Sequence, residues 1–109
     1  MLLGVQTVAM AEALSLLARK CIDLLRAIDM IGSTSVCSPF AKSVETLMAK
    51  GNYGRMFAID LFAKDIRYAL IAGDGSKLPL VSTAHGLFQN AIERGFKAEN
   101  LSNVAKLYL

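Results

Sequence analysis

Lys64 and Asp65 interrupt the stretch Phe57-Ala58-Ile59-Asp60-Leu61-Phe62-Ala63-Lys64-Asp65-Ile66-Arg67-Tyr68-Ala69-Leu70, which is otherwise almost entirely apolar and helical in pattern. Such a segment is expected to be buried on most sides, where an ammonium is costly unless it is paired or used. Two chemistries follow. Asp60 and Lys64 lie one helical turn apart and can pair while the lysine stem reaches to water. Alternatively, the Lys64 ammonium is used rather than paired.

The rest of the chain offers little that converges on a reaction. The single histidine, His85, sits in a helical pattern, where a lone imidazole is usually a half-buried structural group. No Ser-His-Asp order or paired-carboxylate motif is present. Cys21 and Cys37 fit no metal spacing and form no CxxC pair. There is no GxGxxG, and Gly73-Asp74-Gly75 is too short to cradle a phosphate. No metal site is expected, and no catalytic residue can be assigned.

The elements that must position Lys64 read as helices throughout. Leu3, Met10, Leu14, Leu17, Cys21, Leu24 and Ile28 recur at three-and-four spacing, and no glycine or proline falls between Val5 and Ile31. This predicts one long helix ending at Gly32, with Gly4, Ala9, Ala11 and Ala13 allowing close approach of a neighbour. Ser38-Pro39 opens a second helix as cap and first helical residue, with Phe40, Val44, Leu47 and Met48 inward. Gly51-Asn52-Tyr53-Gly54 breaks it. A third helix is expected from about Met56 to Ala72, with Phe57, Asp60, Leu61, Lys64 and Tyr68 on one face. Pro79 opens a fourth, with Leu80, Ala84, Leu87, Phe88, Ala91 and Ile92 on its stripe and Gly95 as its stop. A short fifth begins near Asn100 or Ser102. No two-residue alternation persists, so the expectation is an all-α domain of about five helices.

With 109 residues the chain suits one domain, residues 1–109. Hydrophobic residues make up 54% and charged residues 19%, which leaves apolar surface over for a partner. The net charge is +3, but the cations are scattered without a run or an aromatic-interleaved patch, which argues against nucleic-acid binding. Residues 1–18 are apolar but lack a basic leader, and Gln6 and Glu12 interrupt them. They read as a core helix rather than a signal peptide or membrane span. Two cysteines without a framework are expected to be reduced thiols of a cytoplasmic protein.

Several stretches, in order, resemble the carboxyl-terminal helical domain of the β-hydroxyacid dehydrogenases. That family includes 3-hydroxyisobutyrate dehydrogenase, tartronate semialdehyde reductase and L-threonate dehydrogenase. The stretches are Met1-Leu2-Leu3-Gly4-Val5-Gln6 with Ala11-Glu12-Ala13-Leu14, and Gly51-Asn52-Tyr53-Gly54-Arg55-Met56-Phe57 running into Ala63-Lys64-Asp65. They continue with Leu78-Pro79-Leu80, Ser82-Thr83-Ala84-His85, Gly95, and Asn100-Leu101-Ser102-Asn103-Val104. The resemblance covers nearly the whole chain, and Leu80 to Phe88 leans toward the threonate-type members. It implies a bundle like the carboxyl-terminal domain of 6-phosphogluconate dehydrogenase, with a long first helix. It also implies that Lys64 reaches NAD or NADP across an interdomain cleft, that Asp65 packs or orients beside it, and that Phe57 walls the cleft.

The same resemblance implies a whole enzyme that moves hydride between a small 3-hydroxy acid and the nicotinamide; a homo-oligomer is expected from the first helix's apolar stripe and small residues, whose usual neighbours would be uncovered. The resemblance puts the glycine-rich nucleotide loop in a Rossmann domain not in this chain and the catalytic lysine just before the point corresponding to Met1, so the chain alone is expected to be inactive and to bind dinucleotide weakly or not at all. The sequence departs from the family in three places. The usual glycine near Cys21-Ile22-Asp23 is missing, the Gly73–Leu78 connection is short, and Asn100 replaces a common aspartate. The alternative is a stand-alone helical dimerisation or interaction module without catalytic activity.

Overall fold

Local chemistry sets most of the helix boundaries in the computed structural model, which describes residues 1–50, 58–74, 77–97, 99 and 101–108. The α-helices are α1 (Leu2–Arg19), α2 (Leu24–Gly32), α3 (Pro39–Lys50), α4 (Ile59–Ala72) and α5 (Pro79–Ala91). A π-helical turn, Ile92–Phe96, extends α5, and a 3₁₀ helix spans Leu101–Leu107. No strand occurs among the described residues, so the all-α expectation holds. The α3 start is as expected: the Ser38 hydroxyl accepts the Ala41 N–H at 3.1 Å and donates to Gln6 on α1. Pro79 opens α5, and Gly95 takes φ +93, where the chain turns away after the π-helical turn.

The single helix expected up to Gly32 is instead two. α1 stops at Arg19, and Cys21 adopts φ +56. The Cys21 N–H bonds to the Ala18 carbonyl at 3.0 Å, and the Ile22 N–H reaches back to the Leu17 carbonyl at 3.1 Å. These two bonds close the helix as a Schellman motif. Asp23 then caps α2 by accepting the Arg26 N–H at 3.1 Å. A cysteine therefore holds the left-handed position where glycine costs nothing.

α1 is the spine of the domain, packing against α3, α5 and the 3₁₀ helix. Its length and hydropathy would suit a membrane span, but its contacts are those of a core helix. Its inward face differs from the predicted stripe. Gly4, Thr7, Val8, Ala11, Leu14 and Ser15 are buried, while Leu3 is exposed and Met10 and Leu17 are half-buried. Small residues win the inward positions because they let neighbouring helices approach. A Cβ on Gly4 would lie 2.9 Å from Ile66 Cδ1 and 3.2 Å from the Phe88 ring. The core around this crossing is Val8, Leu14, Met48, Ile59, Ile66 and Phe88.

α3 also differs from its reading. Ala41, Val44, Glu45 and Met48 are buried, whereas Phe40 and Leu47 are only half-buried. Glu45 is fully buried. One of its oxygens, Oε1, sits 3.8 Å from Cys37 Sγ, and Oε2 has no hydrogen-bond partner among the described residues. Burial pushes its carboxyl above the ordinary range, against the smaller pull of the Cys37 hydrogen bond and the Lys42 charge.

Candidate functional site

The placement of α4 begins with its first amide groups. Ala58 precedes the helix without a side-chain cap. The orphan N–H groups of Ile59 and Asp60 are satisfied instead by the carbonyls of Glu99 and Lys97, at 2.9 and 3.2 Å. These bonds clamp the start of α4 to the chain beyond α5, on which α4 packs.

Only Ile59, Ala63 and Ile66 of α4 are buried. The segment was expected to be enclosed on most sides, but its second face is open: Leu61 is 57% exposed, Tyr68 52% and Ile71 72%. Lys64, Asp65 and Arg67 are exposed with them. The helix needs only a narrow stripe to bind its neighbours, and the remaining apolar residues stay at the surface. The problem of a buried, uncompensated ammonium therefore does not arise.

Asp60 and Lys64 form no ion pair, nor do Lys64 and Asp65; among the described residues the ion pair found is Lys106–Glu99 at 2.8 Å. Lys64 turns to an aromatic partner instead. Its Nζ lies 5.7 Å from the centre of the Tyr68 ring, and the Arg67 guanidinium carbon is also 5.7 Å from that centre.

Between α4 and the end of α5 lies a shallow pocket of about 180 Å³, lined by Asp60, Ala63, Lys64, Arg67, Gln89 and Ile92. Gln89 is held by a 3.3 Å hydrogen bond to the ring of His85, one turn earlier. The half-buried, structural role expected of His85 matches this position. The site thus combines two cations, one carboxylate and one primary amide. Such a set can hold an anionic oxygen and accept a neighbouring hydroxyl. It contains no nucleophile–base pair.

Of the three residues singled out in the sequence, Lys64 lines the pocket, and Asp65 is exposed beside it without being part of its lining. Phe57 lies outside the described residues. Sequence reasoning missed Arg67 and Gln89. Arg67 follows Lys64 at i+3, a spacing that brings two side chains to one helix face. Gln89 carries no local signal, because only the packing of α5 on α4 brings it to the site.

A larger cavity of about 420 Å³ opens at the α1–α2 elbow, with Asp23 and Arg26 among an otherwise apolar lining that includes Leu17, Ile22, Met30 and Ile31. Among the described residues no group of three or more His, Cys, Asp or Glu could hold a metal.

Comparison with known proteins matches residues 1–108 to a family described as "NAD-binding of NADP-dependent 3-hydroxyisobutyrate dehydrogenase". The chain is 33% identical over 110 residues to the L-threonate dehydrogenase of Cupriavidus necator, covering 99% of this chain and 37% of that protein. It is 30% identical over 105 residues to the cytokine-like nuclear factor N-PAC of Drosophila melanogaster, covering 94% of this chain and 17% of that protein. Among solved structures it superposes on the 3-hydroxyisobutyrate dehydrogenase of Salmonella typhimurium with a TM-score of 0.86 at 32% identity, covering 98% of this chain and 38% of that one. The chain thus spans well under half the length of the relatives it matches.

Proposed function

This chain belongs to the family described as "NAD-binding of NADP-dependent 3-hydroxyisobutyrate dehydrogenase", and from that premise we propose that it is the helical half of an NAD(P)-dependent oxidoreductase acting on a small 3-hydroxy acid. The observation that carries this reading is Lys64: a cation with no carboxylate partner among the described residues, lining a pocket on an open helix face. Lys64 contacts the cofactor, while Asp65 flanks the cleft. A second, Rossmann-type domain supplies the glycine loop that holds the pyrophosphate.

The residues present fit part of a dinucleotide. Lys64 and Arg67 can hold phosphate oxygens, Asp60 can accept a ribose hydroxyl, and Gln89 can do either. A pocket of about 180 Å³ falls well below the volume of an ordinary small-molecule site, so this chain holds one edge of the cofactor. The nicotinamide, when bound, accepts or gives the hydride. The role of this chain is to bind, to orient and to close the cleft against water.

The exposed Leu16, Leu25 and Met30 and the apolar elbow cavity support self-association into a homo-oligomer. The free thiols Cys21 and Cys37 suit the reducing cytoplasm. One observation favours a second reading, a non-catalytic interaction module: the same domain makes up part of a protein named as a nuclear factor.

A chimera separates the two readings. This chain replaces the matching segment of the Cupriavidus L-threonate dehydrogenase, and dinucleotide binding and turnover are measured. The dehydrogenase reading expects both, with Lys64→Ala weakening either by about tenfold or more, the worth of a charge-assisted contact. A folded chimera in which Lys64→Ala changes neither would overturn it.

A further inference from the structure

Cys37 lies at the end of the loop between α2 and α3, and its thiol meets two oxygens. Sγ is 3.6 Å from the Ser38 carbonyl and 3.8 Å from Glu45 Oε1. Glu45 is fully buried, and its other oxygen has no hydrogen-bond partner among the described residues. The thiol is therefore the hydrogen-bond contact found for this carboxyl among those residues. The groups that act on Glu45 are Cys37, from the loop, and Lys42, from α3 itself. None comes from the described parts of α1, α2 or the 3₁₀ helix, the other elements packed on α3. Lys42 forms no ion pair with Glu45; its stem runs along Gly32, where a Cβ would meet Lys42 Cε at 2.9 Å.

A thiol suits this position because it both donates and accepts. A neutral Glu45 can donate its O–H to Sγ while the S–H turns to the Ser38 carbonyl. An ionised Glu45 receives the S–H instead. Either form of the acid keeps a partner. A capped sulfur has no hydrogen to give, so an ionised Glu45 behind it would be a buried carboxylate without a donor, a costly state.

We infer that Cys37 and Glu45 form a thiol-gated latch between the α2–α3 loop and α3, which a small disulfide opens by capping Cys37. The step is thiol–disulfide exchange. The Cys37 thiolate sulfur attacks one sulfur of the reagent, the reagent's S–S bond breaks, and its other half leaves as a thiolate that takes up a proton. Cys37 is oxidised to a mixed disulfide, one half of the reagent is reduced to a thiol, and added thiol reverses the exchange. Burial first, and the Glu45 carboxylate second, push the Cys37 thiol above its ordinary range, so it reacts more slowly than the exposed Cys21. Ser38 carries the opening into α3. Its hydroxyl accepts the Ala41 N–H at 3.1 Å, and its carbonyl accepts the Lys42 N–H at 3.0 Å. A shift of Cys37 moves Ser38 with it and frees both amides.

The test uses the chain with Cys21→Ser, which leaves Cys37 as its one thiol. The probe is hydroxyethyl disulfide, with capping read by mass and stability by thermal melting from acid to alkaline pH. The capped protein should melt close to the uncapped one in acid and about 5 °C or more below it at alkaline pH, where Glu45 ionises. Exchange of the Ala41 and Lys42 amides should quicken several-fold, and dithiothreitol should restore both readings. Cys37→Ala removes the donor without adding bulk and should reproduce the pH-dependent loss. Cys37→Ser keeps a donor and should not. In Glu45→Gln, which cannot ionise, capping should cost the same at every pH. If capping or Cys37→Ala costs the same at every pH with Glu45 present, or if the pH-dependent loss persists in Glu45→Gln, the effect is one of bulk or loop packing and the latch is wrong. If native Cys37 stays uncapped at alkaline pH, where the urea-unfolded chain caps fully, the thiol is closed to disulfides and the inference falls.

Discussion

Gly4 and Phe88 meet edge to backbone at the centre of the domain: a Cβ placed on Gly4 would stand 3.2 Å from the fully buried Phe88 ring. The same Cβ would be 2.9 Å from Ile66 Cδ1, and Ile66 is equally buried. Both side chains are fully buried, so any shift has to be taken up inside the core. Gly4→Ala gains about 1 kcal/mol of helix propensity but incurs overpacking of about 1–3 kcal/mol. We expect a net loss of about 1 kcal/mol, and a larger loss for Gly4→Val, read as a lower urea midpoint at unchanged slope. A Gly4→Val variant as stable as the parent would show that the α1–α4–α5 crossing is looser than described.

Cys21 should be a site of easy stabilisation. It holds the left-handed position of a Schellman motif with φ +56, and the motif's hydrogen bonds do not use its side chain. Cys21→Gly removes the Cβ conflict and should raise stability by about 1 kcal/mol, set against the entropy a glycine returns to the unfolded chain. Thermal melting should show a midpoint several degrees higher. A lower midpoint would mean that the thiol makes a contact worth more than the backbone strain.

The buried Glu45 makes stability depend on pH. Its folded carboxyl is raised, chiefly by burial, so the folded state holds a proton that the unfolded chain releases at lower pH. Its contribution is therefore fully present below the ordinary carboxyl range and is lost as pH rises through the raised value. Glu45→Gln keeps the shape and removes the titration. The variant should match the parent in acid and exceed it by on the order of 1 kcal/mol at neutral to alkaline pH. Parallel stability–pH curves for the two proteins would refute this.

Lys64→Ala should leave the fold nearly untouched. The side chain is exposed and has no ion-pair partner among the described residues, so only its contact with Tyr68 is lost. The expected cost is within about 1 kcal/mol. A loss of roughly 3–5 kcal/mol, the signature of a broken buried pair, would contradict the cleft role.

Self-association should centre on the elbow. Met30 is 72% exposed and lines the apolar cavity between α1 and α2. Light scattering should find the parent chain larger than a monomer, and Met30→Glu should shift it toward the monomer without loss of helicity. A parent that is monomeric at high concentration would remove the oligomer from the proposal.

The sequence alone determined the features that depend on local chemistry. Pro39 behind Ser38, Pro79, and Gly95 mark element ends because each acts through its own backbone or its nearest neighbours. The absence of two-residue alternation was enough for an all-α domain, and the Lys64–Tyr68 spacing placed both residues on one helix face. What tertiary structure decided is which face lies inward and what meets across helices. α1 is apolar almost all round, so periodicity could not choose between the large residues Leu3, Met10 and Leu17 and the small set led by Gly4 and Ala11. Close approach of Ile66 and Phe88 made that choice. The break at Cys21 depends on a left-handed backbone conformation that cysteine does not signal, and beyond it α2 packs on α3. Burial of Glu45 and the placing of Arg67 and Gln89 on one pocket likewise require elements distant in sequence, and neither leaves a mark in composition or spacing.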